Sequence, residues 1–210
     1  AGTRLVGVGN FTSVGGVNRQ RAFMLDLGVN SATLADWYYP PLDNKCASNA
    51  AVRQAALDDV DFSPDGSYFV FGATGFVPAT EDEIGTAICD CAARFETDYG
   101  AEVKPTWINY TGGDTIHSVT VTGAAVYVQG HFRWLDNPLG RNSAGPGAVE
   151  RKGIGAIDPI TGKALPWNPS APARQGGQDL LSTPEGLWAV SDSLRFGGQY
   201  HRGIAFTPLP

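Results

Sequence analysis

Three cysteines are the residues of this chain with the most narrowly defined chemistry. Cys46 stands alone, while Cys89 and Cys91 form a Cys-x-Cys pair. Structural zinc is held by four Cys or His ligands at recurring spacings, and no His neighbours this pair, so metal binding is the least supported role. A disulfide or free thiols remain, and an odd number of cysteines leaves one thiol over whichever pair forms.

Three histidines and three acids are the candidates for acid–base chemistry: His117, His131, His201, Asp136, Glu150 and Asp192. A general base must lie within hydrogen-bond reach of the proton it removes, and sequence spacing shows no such pair. No serine stands in the Gly-x-Ser-x-Gly turn of many hydrolases. Catalytic residues are therefore left unassigned.

The acidic segment 58–65 raises the question of calcium binding. An EF-hand loop starting at Asp59 needs a carboxylate at its twelfth position, where Val70 stands. The alternative is a strand followed by the turn Ser63-Pro64-Asp65-Gly66, whose residue types favour tight turns. We prefer the turn and predict no metal and no cofactor.

Tryptophans offer flat surfaces for stacking on sugars. Trp37, Trp107 and Trp167 recur at one position, nine or eleven residues after a short apolar strand that ends in an acid. Recurrence at one position of a repeat indicates packing between repeats. We therefore predict a structural role for these three.

Trp134 lies instead in a Gly- and Pro-rich insertion, 133–150, of the kind that often carries binding function. We predict that this insertion binds a carbohydrate or protein ligand, with the insertion 77–88 beside it. The predicted ligand-binding residues are His131, Trp134, Asn137, Arg141 and Asn142.

Hairpin signals organise the rest of the chain. Ser63-Pro64-Asp65-Gly66 lies between two strand-like segments rich in Val, Phe and Tyr, and Thr183-Pro184-Glu185-Gly186 repeats the design. A third hairpin is predicted at 119–128, so one hairpin recurs about every sixty residues, which indicates an internal repeat.

Four strands per repeat predict an all-β fold made of β-propeller blades, with approximate units at 1–55, 56–115, 116–175 and 176–210 as one propeller segment. The predicted strands are 4–9, 21–26 and 33–39; then 57–62, 67–72, 88–96 and 103–110; then 117–122, 125–130, 153–158 and 164–167; and finally 179–182, 187–192 and 203–207.

One set of motifs is similar to a known family. Gly130-His131-Phe132 precedes an apolar strand ending at Asp158, and Thr161-Gly162 and Trp167-Asn168-Pro169 follow. This order resembles secreted actinobacterial β-propellers of the delta-sixty repeat type. The second unit departs from it, with Trp107-Ile108-Asn109 in place of Trp-Asn-Pro. The resemblance implies a fold and an extracellular location more than a reaction.

The predicted strands make about three and a half blades, whereas closed propellers have about four to eight. Exposed sheet edges and blade faces would then need a cover, since they promote aggregation. We expect the remainder of the propeller to come from another chain, another part of a precursor, or a second copy.

The propeller arrangement bears on the cysteines. Cys46 falls in a connection between blades and Cys89 ends a connection within the next blade, and both connections emerge on one face. We therefore predict a disulfide between Cys46 and either Cys89 or Cys91, which fits an oxidising compartment.

Composition excludes some partners. The net charge is −6, and Lys and Arg form no cluster, which argues against nucleic-acid binding. No apolar run has the length of a membrane span. The chain starts at Ala1 without a signal peptide, as expected of a processed product.

These observations predict a non-enzymatic extracellular binding or scaffolding protein, secreted or at the cell surface. The alternative is a hydrolase or lyase acting on extracellular polysaccharide at the propeller face. An enzyme would bring at least two of the candidate acids and histidines around one pocket.

Overall fold

A computed structural model describes residues 2–43, 46, 56–75, 81–171 and 176–208. These residues form an all-β structure, with two short 3₁₀ helices at Pro40–Asp43 and Glu81–Glu83. The described strands are β1 (Arg4–Val8), β2 (Ser13–Val14), β3 (Val17–Asn18), β4 (Ala22–Leu27), β5 (Ala32–Leu34), β6 (Leu57–Phe62), β7 (Tyr68–Ala73), β8 (Cys91–Glu96), β9 (Trp107–Tyr110), β10 (Ile116–Val121), β11 (Val126–Gly130), β12 (Trp134–Leu135), β13 (Val149–Glu150), β14 (Ile154–Ile157), β15 (Gly177–Thr183), β16 (Gly186–Ser191), β17 (Arg195–Phe196), β18 (Gln199–Tyr200) and β19 (Ile204–Thr207).

The longer strands form four antiparallel sheets that follow one another along the chain. The first sheet is β1-β4-β5, the second β6-β7-β8-β9, the third β10-β11-β14 and the fourth β15-β16-β19. Three two-stranded hairpins, β2-β3, β12-β13 and β17-β18, project from the first, third and fourth sheets. Each hairpin interrupts the same connection of its sheet, so the hairpin belongs to the repeat.

The predicted turn between β6 and β7 is confirmed. Gly66 has φ of 72° and its N–H donates to the carbonyl of Ser63 at 2.8 Å. Asp65 accepts hydrogen bonds from the hydroxyls of Ser63 and Ser67, both at 2.7 Å. The hairpin predicted at 119–128 is also present, as β10 paired with β11.

Successive sheets pack face to face because, in the second strand of a sheet, alternate side chains point to opposite faces of that sheet. In β7, Phe69 and Phe71 point to a core shared with the first sheet, while Tyr68 and Val70 point to a core shared with the third. Tyr127 of β11 packs in the core between the third and fourth sheets. Every inner sheet is therefore apolar on both faces.

The three recurrent tryptophans lie between sheets, as predicted. Trp37 is fully buried against Phe69, Phe71 and Phe95, and Trp167 packs edge-on to Tyr127 at 5.1 Å. The Trp107 indole N–H donates to the carbonyl of Pro159 at 2.9 Å.

The first strands of the second, third and fourth sheets, β6, β10 and β15, lie side by side. Each contains a one-residue irregularity at the equivalent position, occupied by Asp58, His117 and Gln178. A bulge at one place in three strands is a conserved element of the repeat's geometry.

Several predicted strands are shorter than expected. Residues 88–90 lie outside β8, and 103–106 lie outside β9, where Pro105 has no N–H to donate. In place of the strand predicted at 164–167, only Ala164 bridges to Ile157, and Pro166 follows closely. Trp37 follows β5 without belonging to it. The segments 47–55, 77–80 and 172–175 of the predicted units lie outside the described residues.

A disulfide joins Cys46 to Cys89, which decides between the two predicted pairings. Cys91 is a buried free thiol, and burial raises its pKa.

Among the described residues no helix has the length and apolarity to cross a membrane.

Candidate ligand-binding surface

The insertion between β11 and β14 carries the predicted ligand-binding residues. Its two arms pair as β12-β13, with Trp134 opposite Glu150 and Leu135 opposite Val149. Leu135 is fully buried in the core between the second and third sheets, which ties the hairpin to the body of the protein. Trp134 then lies at the surface, half-buried.

Asn137 is the internal support of this insertion. Its Nδ2 donates to the carbonyls of Thr111 and Ser143, both at 3.0 Å, and its Oδ1 accepts from the N–H of Gly145 at 2.8 Å. The side chain is fully buried. Of the predicted contact residues, Asn137 therefore holds the loop from below and does not face solvent.

Asp136 fixes the base of the hairpin. Its Oδ1 accepts from the Asn109 amide at 2.7 Å and its Oδ2 accepts from the N–H of Ala164 at 3.1 Å. Asp136 has φ of 52°, a conformation that Asp adopts more readily than most residues. This carboxylate links the second sheet, the insertion and the end of the third sheet.

Arg133 and Trp134 form the exposed part of the surface. The Arg133 guanidinium lies 4.4 Å from the centre of the Trp134 ring, within cation–π range. Arg133 Nε donates to Asp114 Oδ2 at 2.8 Å, and Asp114 is nearly buried. An anchored guanidinium on an indole makes a rigid flat platform with hydrogen-bond donors at its edge.

Asn142 lies beside this platform. Its Oδ1 accepts from Arg133 at 3.4 Å, and its φ of 53° places it in the left-handed region that Asn tolerates. The predicted residues Trp134 and Asn142 are thus brought together through Arg133. We define the platform as Arg133, Trp134 and Asn142.

Arg141 belongs to a neighbouring feature. With Glu81, Pro138 and Leu139 it lines a small cavity of about 120 Å³. Glu81 comes from the predicted insertion 77–88, so the described end of that insertion does meet the insertion 133–150. The two loops therefore contact each other around this cavity.

His131 is exposed at the end of β11, where its N–H donates to the carbonyl of Thr115 at 2.9 Å. Gly176 lies against its backbone. No contact joins its side chain to the platform among the described residues. His131 therefore lies at the border between the third and fourth sheets.

Arg133 and Asp114 are the site residues that the sequence interpretation missed. Arg133 is adjacent to Trp134, and an Arg next to an exposed Trp was the available signal. The partner carboxylate is nineteen residues away in the chain and on a different loop. No spacing rule connects these two positions.

The candidate acids and histidines occupy separate places. His117 pairs with Asp58 at 2.9 Å, Glu150 pairs with Lys152 at 3.3 Å, and Asp192 accepts from the N–H of Gly176 at 3.2 Å. A cavity of about 540 Å³ is lined by other residues, among them Arg4, Asp65 and Asp98. The described residues contain no cluster of three or more metal-ligating side chains.

In comparisons with protein-family models, curated proteins and solved structures, nothing matches this chain. The likeness to delta-sixty propellers therefore rests on its sequence motifs alone.

Proposed function

We propose that this chain is an arc of a β-propeller of the delta-sixty repeat type that binds or scaffolds outside the cell. Four sheets in series, each packed on the next, with first strands side by side, support this proposal, because propeller blades are arranged in this way around a channel. The disulfide between Cys46 and Cys89 is consistent with secretion or a cell-surface location.

The platform of Arg133, Trp134 and Asn142 carries the binding proposal. The Arg133 guanidinium covers one face of the indole, whose remaining exposed part adds apolar contact for a sugar, while the guanidinium and the Asn142 amide offer polar contacts for hydroxyl or carboxylate groups. The rigid anchor on Asp114 reduces the entropy lost on binding. We therefore propose a carbohydrate, one that carries carboxylates, as the ligand class.

Asp136 supports a binding role over catalysis. Both of its carboxylate oxygens accept hydrogen bonds from the scaffold, so it serves to position the loop. In the proposed function the chain recognises a polysaccharide and leaves its glycosidic bonds intact.

Titration calorimetry with soluble polygalacturonate, and with neutral mannan for comparison, tests the proposal. We expect Trp134→Ala to weaken polygalacturonate binding at least about tenfold, as removal of a central aromatic contact does. Tyr200→Ala is the matched control, since Tyr200 is an exposed aromatic on the equivalent hairpin β17-β18. Equal affinity of the Trp134 variant would refute the site, and release of new reducing ends would instead indicate the hydrolase or lyase.

A further inference from the structure

The outer face of the fourth sheet, defined by Leu181, Trp188, Val190, Ile204 and Phe206, is apolar and exposed. Trp188 is 40% exposed and Ile204 53% exposed, and the rings of Trp188 and Phe206 lie 4.9 Å apart. Leu181, Trp188, Val190 and Ile204 line a shallow groove of about 270 Å³. Contiguous apolar surface of this kind marks an interaction site.

The repeat shows what this face is built to contact. The positions equivalent to Trp188 in the second strands of the preceding sheets are Val70 and Tyr127, which are 0% and 3% exposed. Both are covered by the following sheet. Trp188 therefore occupies a position that the following sheet covers in the second and third sheets.

Asp179 repeats a polar feature of the same interface. The equivalent residue in the second sheet is Asp59, whose Oδ1 accepts a hydrogen bond from the N–H of Val60. Its Oδ2 accepts hydrogen bonds from the Ser118 hydroxyl and from the N–H of Val119, both in the edge strand of the next sheet. Asp179 Oδ1 likewise accepts from the N–H of Leu180, and Asp179 is exposed on the groove. The fourth sheet thus presents an acceptor suited to the edge strand of a covering sheet.

The face that could pack on the fourth sheet is the outer face of the first sheet. It is defined by Leu5, Phe23, Leu25 and Leu34. Leu5, Leu25 and Leu34 lie in register across its three strands. The positions equivalent to Leu5 are Phe69, Val126 and Leu187, all 0% exposed against the preceding sheet, whereas Leu5 is 42% exposed. In the described part β1 is an edge strand, although its place in the repeat is that of the second strands β7, β11 and β16.

We propose that the outer face of the fourth sheet packs on the outer face of the first sheet of a second copy of this chain. The inference rests on the proposed propeller and names its missing part. Two such head-to-tail contacts close a ring of two copies, and four sheets from each give eight, within the four to eight blades of closed propellers.

Light scattering on the purified full chain tests the assembly. We expect twice the chain mass of 22.2 kDa. Trp188→Glu and Leu5→Glu should each raise the dimer dissociation constant at least about a hundredfold. Val29→Glu is the matched control, because Val29 is 99% exposed in the turn after β4 and belongs to neither defined face.

Mixing the two monomeric variants distinguishes a head-to-tail contact from a like-to-like contact. In a mixed dimer, the native fourth-sheet face of the Leu5→Glu copy can pack on the native first-sheet face of the Trp188→Glu copy. We therefore expect dimers in an equimolar mixture of the two variants and not in either variant alone. Circular dichroism of each variant checks that it is folded. If a variant fails to fold, dilution of the native chain serves instead, and the tryptophan emission of the protein should shift to longer wavelength as dissociation exposes Trp188.

A native chain that stays monomeric, or a dimer that survives Leu5→Glu, would overturn the inference. The polygalacturonate titration on the same samples separates this result from failure of the proposed function. A monomer that still binds through Trp134 refutes only the second copy, whereas a dimer that does not bind refutes only the ligand.

Discussion

The carboxylate of Asp59 in β6 accepts a hydrogen bond from the hydroxyl of Ser118 in β10 at 2.9 Å, and so joins the first strands of two successive sheets. Asp61 repeats the contact one step along, accepting from Thr120 at 3.1 Å and from the N–H of Val121 at 2.7 Å. The acidic segment that suggested calcium is thus a set of acceptors for the neighbouring strand.

Asp59→Ala should lower the free energy of unfolding by about 1–3 kcal/mol, because it leaves the N–H of Val119 and the Ser118 hydroxyl without their acceptor. Asp58→Ala is the control, since Asp58 pairs with His117 at the surface and such pairs contribute less than about 1 kcal/mol. Urea unfolding of both variants measures the difference. Equal losses would contradict the assigned role of Asp59.

Gly130→Ala should destabilise the protein by about 1–3 kcal/mol or more. A Cβ at this position would meet the backbone of Thr115, Ile116 and His117, which cannot rotate away as a side chain can. Gly123→Ala is the matched control, because a Cβ there has open space. Thermal melts of the two variants should differ clearly, and coinciding curves would refute the close approach at the bulge.

Reduction of the Cys46–Cys89 disulfide should lower the free energy of unfolding by about 2–4 kcal/mol, since the bond closes a loop between residues 43 apart. Cys91→Ala should respond to reductant as the parent does, because Cys91 is not in the bond. The double variant Cys46→Ala, Cys89→Ala should not respond. Loss of the response in Cys91→Ala would instead assign the bond to Cys91.

Tyr39 gives an alkaline limit to stability. Burial, with the nearby Cys91 as a smaller cause, raises the pKa of Tyr39 to about 12, and its hydroxyl donates to the carbonyl of Thr86 at 2.7 Å. The folded state therefore retains a proton that the unfolded state loses near pH 10.0. The contribution of Tyr39 to stability is complete below pH 10.0 and is lost as the pH rises to about 12.

Urea unfolding at about pH 9 and about pH 11 measures this loss, which should be smaller in Tyr39→Phe by about 1 kcal/mol. Tyr200→Phe is the control, since Tyr200 is 65% exposed. The same alkaline loss in all three proteins would contradict the assignment to Tyr39.

The sequence predicted the repeat well because its signals are local. The turn at Ser63–Gly66 and the recurrent position of Trp37, Trp107 and Trp167 depend on neighbouring residues, and the structure confirms the turn and the packing of the three tryptophans between sheets. Strand ends were less accurate, since Pro105 and Pro166 stop pairing inside segments that otherwise suit strands.

The candidate site was predicted only in part because its contacts are long-range. Trp134 and Asn142 were recognised from an unusual loop composition, but the salt bridge between Arg133 and Asp114 depends on how two loops fold together. Asn137 looked like a contact residue because buried and exposed amides have the same sequence signal. Its burial follows from hydrogen bonds to Thr111 and Ser143 that no spacing reveals.

The bulge shared by β6, β10 and β15 gives this row of neighbouring first strands a property that the paired positions lack. The same backbone shape displays an acid at Asp58, an imidazole at His117 and an amide at Gln178. The residue left over by the bulge has no cross-strand partner to match, so its chemistry can vary from repeat to repeat while the register of the flanking residues is kept. The repeated bulge therefore supplies a row of side chains on an unchanged backbone frame, and two neighbours in that row, Asp58 and His117, contact each other at 2.9 Å. This row is where contacts between successive sheets can change while the strand register is kept.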